Sequence, residues 1–265
     1  MLNRETLGHG PHLTLIHGWA ADNGVWKPWV ETYLAPHFTC HLIELPGFGD
    51  SPPVEADTPE AIRTAWRQAL IEALPDEPTA LLGWSLGGLM AQDIALHASE
   101  RVTHLVGLCT TPRFVQADGW RHAVPPRLVG EFIETLALDV ALLLKRFWML
   151  QWRGDPNARK LMKQFVQEMT SRRLPSLTGL RQGLELLRTL DFRADLPRLA
   201  QPTLWLLGEK DPLIPADWVR QLAALQPHAR VEIIPGAAHL PFRSHPDLTA
   251  AALRAFLLNG KTAVR

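Results

Sequence analysis

One serine stands between glycines in a pattern that favours nucleophilic catalysis. The segment Gly83-Trp84-Ser85-Leu86-Gly87-Gly88 follows the apolar run Thr79–Leu82 and precedes a helical pattern over Leu86–His97. A strand that turns sharply into a helix leaves no room for side chains beside the nucleophile, and it holds the serine hydroxyl above the sheet edge. Free N–H groups of the first helical turn point at negative charge forming there. The pattern therefore predicts that Ser85 is a nucleophile for acyl transfer.

A serine hydroxyl is a weak nucleophile without a base, and the histidine that best fits this role is His239. It lies in the loop Gly236–Phe242 after an apolar run. This is the carboxyl end of a predicted strand, where the catalytic loops of open parallel sheets gather. His245 is the local alternative, but Ser244-His245-Pro246 is typical of a helix start. We therefore expect His239 to be the general base.

The acid that orients this base should follow an earlier strand, and Asp211 stands in such a place. The apolar run Thr203–Leu207 leads to Asp211 at a turn, where Glu209 could also serve. The chain order Ser85, Asp211, His239 is the order that a nucleophile elbow requires. Each of the three follows its own predicted strand, so together they predict a catalytic triad.

The segment His17-Gly18-Trp19, directly after the first apolar run, suits the binding of an oxyanion. The transition state of acyl transfer carries negative charge on an oxygen, and two N–H donors stabilise it. We predict that the backbone N–H groups of Trp19 and Leu86 are these donors. We interpret His17, a tempting catalytic histidine, as a structural residue that shapes the loop.

Short apolar runs alternate with helical patterns along most of the chain and predict how these residues are positioned. Near-continuous apolar runs are typical of strands covered on both faces, and their alternation with helices predicts an α/β fold with a parallel sheet. The predicted strands are His12–Ile16, Thr39–Leu45, Thr79–Gly83, Val102–Cys109, Thr203–Leu207 and Arg230–Pro235. The predicted helices beside them are Trp26–Leu34, Pro59–Leu74, Leu86–His97, Pro215–Leu225 and Pro246–Leu258.

The alternation stops between Thr110 and Leu190, where the periodicity is helical and no convincing strand appears. This stretch is too long for a loop in a compact domain. We predict an all-helical cap, residues 112–190, inserted into a core domain formed by residues 1–111 and 191–265. The predicted cap helices are Arg127–Leu138, Asp139–Trp152, Asn157–Thr170 and Leu177–Leu190.

The motifs together resemble the α/β-hydrolase superfamily, and the resemblance covers the whole chain. Within the superfamily the chain is most similar to the family of carboxylesterases in biotin synthesis that cleave the methyl ester of pimeloyl-acyl carrier protein. The more specific motifs that carry this likeness are Gly83–Leu89, Arg146–Gln151 and Gly183–Leu187. The resemblance implies a mostly parallel sheet with an inserted helical cap and a serine esterase that frees the pimeloyl carboxylate and methanol.

The resemblance also implies which residues contact the substrate. The family's contacts carry over to Trp19, Ser85, Leu86 and His239, and to five cap residues, Phe147, Trp148, Met149, Leu150 and Gln151. It implies a reaction without cofactor or metal. The sequence agrees, since its histidines show no zinc-ligand spacing and it has no phosphate-cradling glycine loop.

The charge balance bears on possible partners. The 27 Lys and Arg equal the 27 Asp and Glu, and a net charge of zero argues against nucleic-acid binding. Residues 113–190, however, hold 13 basic and 7 acidic side chains, against 14 and 20 elsewhere. We interpret the basic excess as a surface for an acidic partner, the carrier protein of a carrier-linked ester. The predicted contacts are Arg127, Arg146, Arg159 and Lys163.

The remaining expectations concern the cell compartment. Cys40 and Cys109 lie in apolar runs and are predicted to be buried free thiols of a reducing compartment. The first residues do not form a signal peptide, and no apolar run approaches the length of a membrane span. We expect a cytoplasmic monomer.

Several alternatives remain open from the residues alone. A carboxylesterase of broad specificity or a carbon–carbon bond hydrolase would act on free small molecules. A lipase-like enzyme would rest its basic cap on anionic lipid. A small-molecule receptor on the same fold could keep the triad without turnover.

Overall fold

The computed structural model describes residues 1–156 and 158–259 and is built around one seven-stranded sheet. The strands are β1 (Arg4–Leu7), β2 (His12–Ile16), β3 (Thr39–Ile43), β4 (Thr79–Trp84), β5 (Val102–Leu108), β6 (Thr203–Gly208) and β7 (Arg230–Ile234). Their spatial order is β1-β3-β2-β4-β5-β6-β7. Only β1 runs antiparallel to its neighbour, and the other strand pairs are parallel.

The middle strands are apolar because both faces of the sheet are covered. All six residues of β4 and all six of β6 are buried. The outer strand β7 is exposed at four of its five residues. Parallel strands place their carboxyl ends at one edge, so the residues that follow β2, β4, β6 and β7 lie at the same edge of the sheet.

Ten α-helical segments accompany the sheet in the described part of the chain. They are α1 (Lys27–Trp29), α2 (Pro59–Ala73), α3 (Leu86–His97), α4 (Pro126–Leu138), α5 (Val140–Leu150), α6 (Ala158–Thr170), α7 (Leu177–Thr189), α8 (Leu222–Leu225), α9 (Pro241–Ser244) and α10 (Pro246–Asn259). Short 3-10 turns lie at Asn23–Val25, Ser99–Arg101, Leu196–Arg198 and Ala216–Gln221, and a π-helical turn at Val30–Leu34.

Polar side chains begin three of the longer helices. The side chains of Thr58, Asp139 and Ser176 accept hydrogen bonds from N–H groups in the first turns of α2, α5 and α7. Each bond satisfies a donor that has no partner within the helix. The starts of these three helices are therefore stabilised by side-chain hydrogen bonds from the preceding residue.

The predicted parallel sheet is confirmed, and six of its strands begin at the predicted residues. The strand β1 was missed because its residues, Arg-Glu-Thr-Leu, form a half-exposed edge without an apolar run. The predicted helix Trp26–Leu34 is instead a succession of short turns. Asn157, the predicted start of one cap helix, and residues 260–265, the end of the predicted core domain, lie outside the described residues.

Helices α4 to α7 lie between β5 and β6 in the chain, and they pack on one another and on the sheet-bound helices. Helix α4 contacts α5 and α7, and α7 contacts α2 and α3. Gln182 of α7 is fully buried, donates to the carbonyls of Val54 and Ala56, and accepts from the indole of Trp66. The division into a core domain and a cap stays a prediction.

Two further expectations concern the cysteines and the membrane. Cys40 and Cys109 are free and buried, as predicted. Burial raises the pKa of the Cys40 thiol to about 12, so this thiol stays protonated at neutral pH. Within residues 1–156 and 158–259, no helix has the length and apolar character of a membrane span.

Candidate active site

The turn from β4 into α3 holds Ser85 in a strained conformation. Its backbone φ of 56° lies in the left-handed region that residues other than glycine rarely adopt. A Cβ atom at Gly83 would collide with the carbonyl of Gly87, so the backbone approaches itself too closely for any side chain. The hydroxyl of Thr110 donates to the Ser85 carbonyl at 2.8 Å. The elbow is thus fixed from both sides, and Ser85 is only 5% exposed.

The loops after β6 and β7 bring an acid and an imidazole together. The Oδ2 atom of Asp211 lies 2.7 Å from Nδ1 of His239, and both side chains are fully enclosed. The other carboxylate oxygen accepts the N–H groups of Leu213 and Ile214 at 2.8 and 2.9 Å. Because the carboxylate is held by the backbone, it fixes the imidazole with its Nδ1 toward the acid.

The opposite ring nitrogen of His239 is left without a partner among the described residues. Nε2 is buried and accepts or donates no hydrogen bond. The backbone around it is held on both sides: the His239 N–H donates to the carbonyl of Gln151 at 3.1 Å, and its carbonyl accepts the indole N–H of Trp84 at 2.8 Å. Trp84 directly precedes Ser85 in the elbow. The geometry therefore presents a fixed, unpartnered base next to the elbow.

The thiol of Cys109 lies beside this pair. Ligand atoms of Cys109, Asp211 and His239 all fall within 4.8 Å of one another, a grouping that could in principle hold a metal. Burial, strengthened by the Asp211 carboxylate, raises the pKa of the Cys109 thiol well above its usual range. The thiol is protonated at neutral pH, and the acid and imidazole are already bonded to each other. The arrangement is that of an oriented base.

The loop after β2 lies against the serine. A Cβ atom at Gly18 would lie 3.1 Å from Cβ of Ser85. His17 shapes this loop: its Nε2 accepts the N–H of Leu45 at 3.1 Å, so Nδ1 carries the proton and donates to the Gly18 carbonyl at 2.8 Å. Burial lowers the pKa of His17, which favours this neutral form. These bonds fit the structural role expected for His17.

Trp19 and Leu86, the predicted oxyanion donors, have side chains that both lie against Gly183 of α7. A Cβ atom at Gly183 would lie 2.6 Å from Cδ1 of Trp19 and 3.2 Å from Cδ2 of Leu86. Leu86 is the first residue of α3, so its N–H has no partner within the helix. The structure thus brings the side chains of Trp19 and Leu86 together at α7, and the convergence of their N–H groups stays a prediction.

Aromatic rings from the inserted helices pack on Trp19. The ring of Phe147 stands perpendicular to the indole at a centroid distance of 4.8 Å, and that of Phe132 lies parallel to it at 6.4 Å. The indole N–H donates to the carbonyl of Leu180 at 3.0 Å. Phe132 and Leu180 were not predicted as site residues. Helical periodicity marks them as buried, but it cannot show which buried residues contact Trp19.

The five predicted contacts on α5 and at its end are placed differently. Phe147 and Trp148 are buried, and the Trp148 indole N–H donates to the Ala20 carbonyl at 2.9 Å. Gln151 is buried and holds the backbone of the His239 loop. Leu150 is half-buried.

Met149 lies on the outer side of the same helix. It is 36% exposed, because it lies two residues, and so about 200° around the helix, from Phe147. Its contact with the substrate stays a prediction.

The predicted basic contacts lie on the surface of three helices. Arg127 is 89% exposed at its side chain and lies 3.4 Å from Glu131. Arg146, Arg159 and Lys163 are exposed on α5 and α6. On α5 the exposed face also carries two apolar side chains, Leu142 and Met149. This face combines positive charge with exposed apolar area.

Comparisons with known proteins agree with this geometry. A family model described as the alpha/beta hydrolase fold matches residues 11–246. The chain is 41% identical over 256 residues to a pimeloyl-[acyl-carrier protein] methyl ester esterase of Xanthomonas oryzae, covering 96% of this chain and 97% of the relative. It is 38% identical over 253 residues to a protein of the same name from Photobacterium profundum, with coverage of 96% and 97%.

Solved structures show the same fold at lower sequence identity. An esterase from Exiguobacterium antarcticum superposes with a TM-score of 0.84 at 23% identity, covering 96% of this chain and 94% of that one. The enol-lactonase from Burkholderia xenovorans reaches 0.81 at 19% identity, with coverage of 97% and 96%. At these identities the likeness supports the fold alone.

Proposed function

This chain belongs to the α/β-hydrolase family and, within it, to the pimeloyl-[acyl-carrier protein] methyl ester esterases, and from that premise we propose that it hydrolyses the methyl ester of pimeloyl-acyl carrier protein through a Ser85–His239–Asp211 triad. The products are pimeloyl-acyl carrier protein with a free carboxylate and methanol, a step of biotin synthesis. The observation that carries the proposal is the unpartnered, buried Nε2 of an imidazole fixed by Asp211 beside the strained serine elbow.

The proposed reaction begins with proton transfer. The Ser85 hydroxyl attacks the ester carbonyl while its proton moves to Nε2 of His239. The imidazolium that forms is stabilised by Asp211, whose second oxygen remains bound to two backbone N–H groups. The proton then passes to the departing methoxide, so methanol leaves and an acyl-serine remains. Water repeats the cycle, breaks the acyl-serine bond and frees the acid.

The proposed oxyanion hole consists of the N–H groups of Trp19 and Leu86. Donors that are already in place stabilise the charge without reorganisation during the reaction. His17 supports the first donor by its bond to the Gly18 carbonyl, and the helix start of α3 supports the second. The packing of Phe132 and Phe147 on Trp19 keeps this side of the site apolar.

The proposed substrate contacts follow from the same packing. We propose that Phe147 and Trp148 line the acyl chain, while Gln151 fixes the His239 loop through its carbonyl. Leu150 is kept as a proposed contact at the margin of the site. An apolar wall suits the methylene chain of a pimeloyl group.

We propose further that the carrier protein docks on the inserted helices. An acyl carrier protein is acidic and presents its acyl group on a long arm, and the exposed residues Arg127, Arg146, Arg159 and Lys163 provide the opposite charge. Long-range attraction between such surfaces accelerates encounter and orients the partner. The proposed enzyme acts as a monomer in the cytoplasm.

The most direct chemical test is to trap the acyl-serine. Mixing the protein with p-nitrophenyl acetate and quenching the reaction early should give an added acetyl mass on the peptide that contains Ser85. His239→Ala should accumulate no acyl-serine, because the hydroxyl then lacks its base. Wild-type protein without the adduct, or an adduct that persists in Ser85→Ala, would contradict the proposal.

A second comparison separates the proposed substrate from free small esters. A broad-specificity esterase would cleave free methyl esters of several chain lengths as well as it cleaves the carrier-linked pimeloyl ester. The proposal predicts the highest kcat/KM for the carrier-linked ester. A receptor without turnover would bind these esters and release no methanol.

A further inference from the structure

A chain of charged groups connects the two loops on either side of the proposed site. Asp22 lies three residues after Trp19, and its Oδ1 atom is 2.5 Å from Nη1 of Arg172. The same guanidinium donates to the Gly24 carbonyl at 3.0 Å and lies 4.0 Å from Glu168 of α6. The Trp19 loop is thereby tied to the end of α6.

The other end of the chain reaches the histidine loop. Both carboxylate oxygens of Glu168 accept from Nη2 of Arg243, at 2.9 and 2.8 Å. Arg243 lies four residues after His239, on the short helix α9. Its guanidinium carbon also lies 6.0 Å from the ring centroid of Phe165, which belongs to α6. The end of α6 therefore holds both loops at once.

These contacts differ from ordinary surface ion pairs in their burial. The side chains of Arg172, Asp22 and Arg243 are 24%, 13% and 15% exposed, and that of Glu168, which joins them, is 39% exposed. The neighbouring pair of Arg173 and Asp50 is exposed by 75% and 76%. Half-buried pairs with several hydrogen bonds are screened less by water and salt than exposed pairs.

The backbone near Asp22 is shaped around the same guanidinium. A Cβ atom at Gly24 would collide with the Nη1 atom of Arg172. Asp22 also accepts the N–H of Gly24 at 2.8 Å and so begins the turn Asn23–Val25. The turn and the guanidinium therefore fit each other, and the contact is part of the loop's own structure.

We propose that Glu168 and Arg172 are positioning residues that set the distance between the proposed oxyanion donor of Trp19 and the proposed base His239. This inference rests on the proposed function. The two loops leave the sheet at β2 and β7, on opposite sides of β4, so a shift of either tip changes the distance between Trp19 and His239. The bridge from α6 to both tips restrains such shifts, in addition to the bonds that His239 makes with Trp84 and Gln151.

Loss of the bridge should therefore lower the rate of the chemical step and leave substrate binding unchanged. Small misplacement of catalytic groups lowers the rate of the chemical step strongly, whereas the proposed acyl-chain contacts, Phe147 and Trp148, lie outside the bridge. We expect Glu168→Gln and Arg172→Met to lower kcat for p-nitrophenyl butyrate on the order of 10-fold with little change in KM. Gly24→Ala should also lower kcat, because its Cβ atom displaces the Arg172 guanidinium without removing a charge.

The measurement is kcat per active serine, with active sites counted by a fluorophosphonate that labels Ser85. Arg173→Met is the matched control, since it removes the adjacent, exposed arginine and should leave kcat per site unchanged. Arg172→Lys keeps a charge beside Asp22 but gives up the bond to the Gly24 carbonyl. Its kcat per active serine should lie between those of the wild type and Arg172→Met.

Three outcomes would overturn the inference while leaving the proposed function intact. In the first, kcat per labelled site is unchanged. In the second, the variants lose labelled sites in proportion to activity, which is the result of a merely structural role. In the third, kcat/KM rises, which would mean that the bridge only restricts entry. A wild-type protein whose Ser85 is neither labelled nor needed for turnover would contradict the proposed function itself.

Discussion

The sheet and the inserted helices contribute to the site in different ways. The sheet supplies the proposed reacting groups from loops at strand ends. These groups are held by hydrogen bonds that involve the backbone, Asp211 by two N–H groups and His239 by two further bonds. Helices α4 to α7 and the turn after α6 supply aromatic rings and charged side chains that contact those loops. In the proposed mechanism the chemistry resides in the sheet loops, and the helices decide selectivity and alignment.

The largest expected effect comes from the sheet side. Asp211→Asn keeps the shape of the acid but removes the charge that orients and stabilises the imidazole, and kcat for short esters should fall by about 10⁴-fold. Steady-state kinetics on p-nitrophenyl butyrate measures this loss. Glu209→Gln, which changes the exposed alternative acid nearby, should leave kcat unchanged. Comparable losses in the two variants would break the assignment of Asp211.

Substitutions in the helices α4 to α7 should change the stability of the fold through lost packing. Phe147→Ala removes a buried ring that stands against Trp19, and such deletions lower the free energy of unfolding by about 3 kcal/mol or more. Met149→Ala, on the exposed side of the same helix, should change it by less than about 0.5 kcal/mol. Urea unfolding of both variants gives the comparison. Equal losses would show that Met149 is packed as Phe147 is.

The sheet also carries a pH dependence of stability. Burial, with the nearby His12 and Arg4, lowers the pKa of His41 from 6.5 to about 4. The unfolded chain therefore binds this proton at a higher pH than the folded chain does, and stability is lost as the pH falls from about 6.5 to about 4, by about 3 kcal/mol.

Urea titrations at several pH values measure this loss. His41→Gln should flatten the decline between these pH values, whereas His228→Gln, at an exposed histidine, should not. An unchanged slope in His41→Gln would assign the acid sensitivity to another group.

The smallest expected effect tests the charge of the inserted helices. Reversing charge at Arg146, Arg159 and Lys163 should raise KM for the carrier-linked ester about 10-fold and spare free methyl esters, since only the carrier is acidic. Kinetics at low and high salt would show the difference shrinking as salt screens the attraction.

A matched control uses the sheet region. Reversal of three exposed arginines there, Arg198, Arg220 and Arg230, changes the net charge equally and should leave KM for the carrier-linked ester unchanged. Equal effects of the two triple variants would mean that net charge, and not a docking surface, governs encounter.

The sequence predicted the sheet better than it predicted the contacts between the helices and the sheet loops. Apolar runs located six strands, because buried strands leave a continuous signal. The positions of Ser85, Asp211 and His239 follow from that placement, since parallel strands end at one edge.

Other features depend on tertiary structure that no local pattern records. Met149 was assigned by resemblance alone, and the exposed side of α5 could be recognised only from the packing of Phe147. Phe132 meets Trp19 across more than a hundred residues of chain. The bridge through Glu168 and Arg172 joins α6 to loops that are distant in sequence. Charge counts showed a basic excess there but not its partners.

Release of methanol from pimeloyl-acyl carrier protein methyl ester, measured for the wild-type protein and for Ser85→Ala, is the sharpest test of the proposed activity. We predict turnover by the wild type at a higher kcat/KM than for free dimethyl pimelate, and a loss of about 10⁶-fold in kcat in the variant. Turnover that survives in Ser85→Ala, or a wild type that leaves the carrier-linked ester intact, would contradict it.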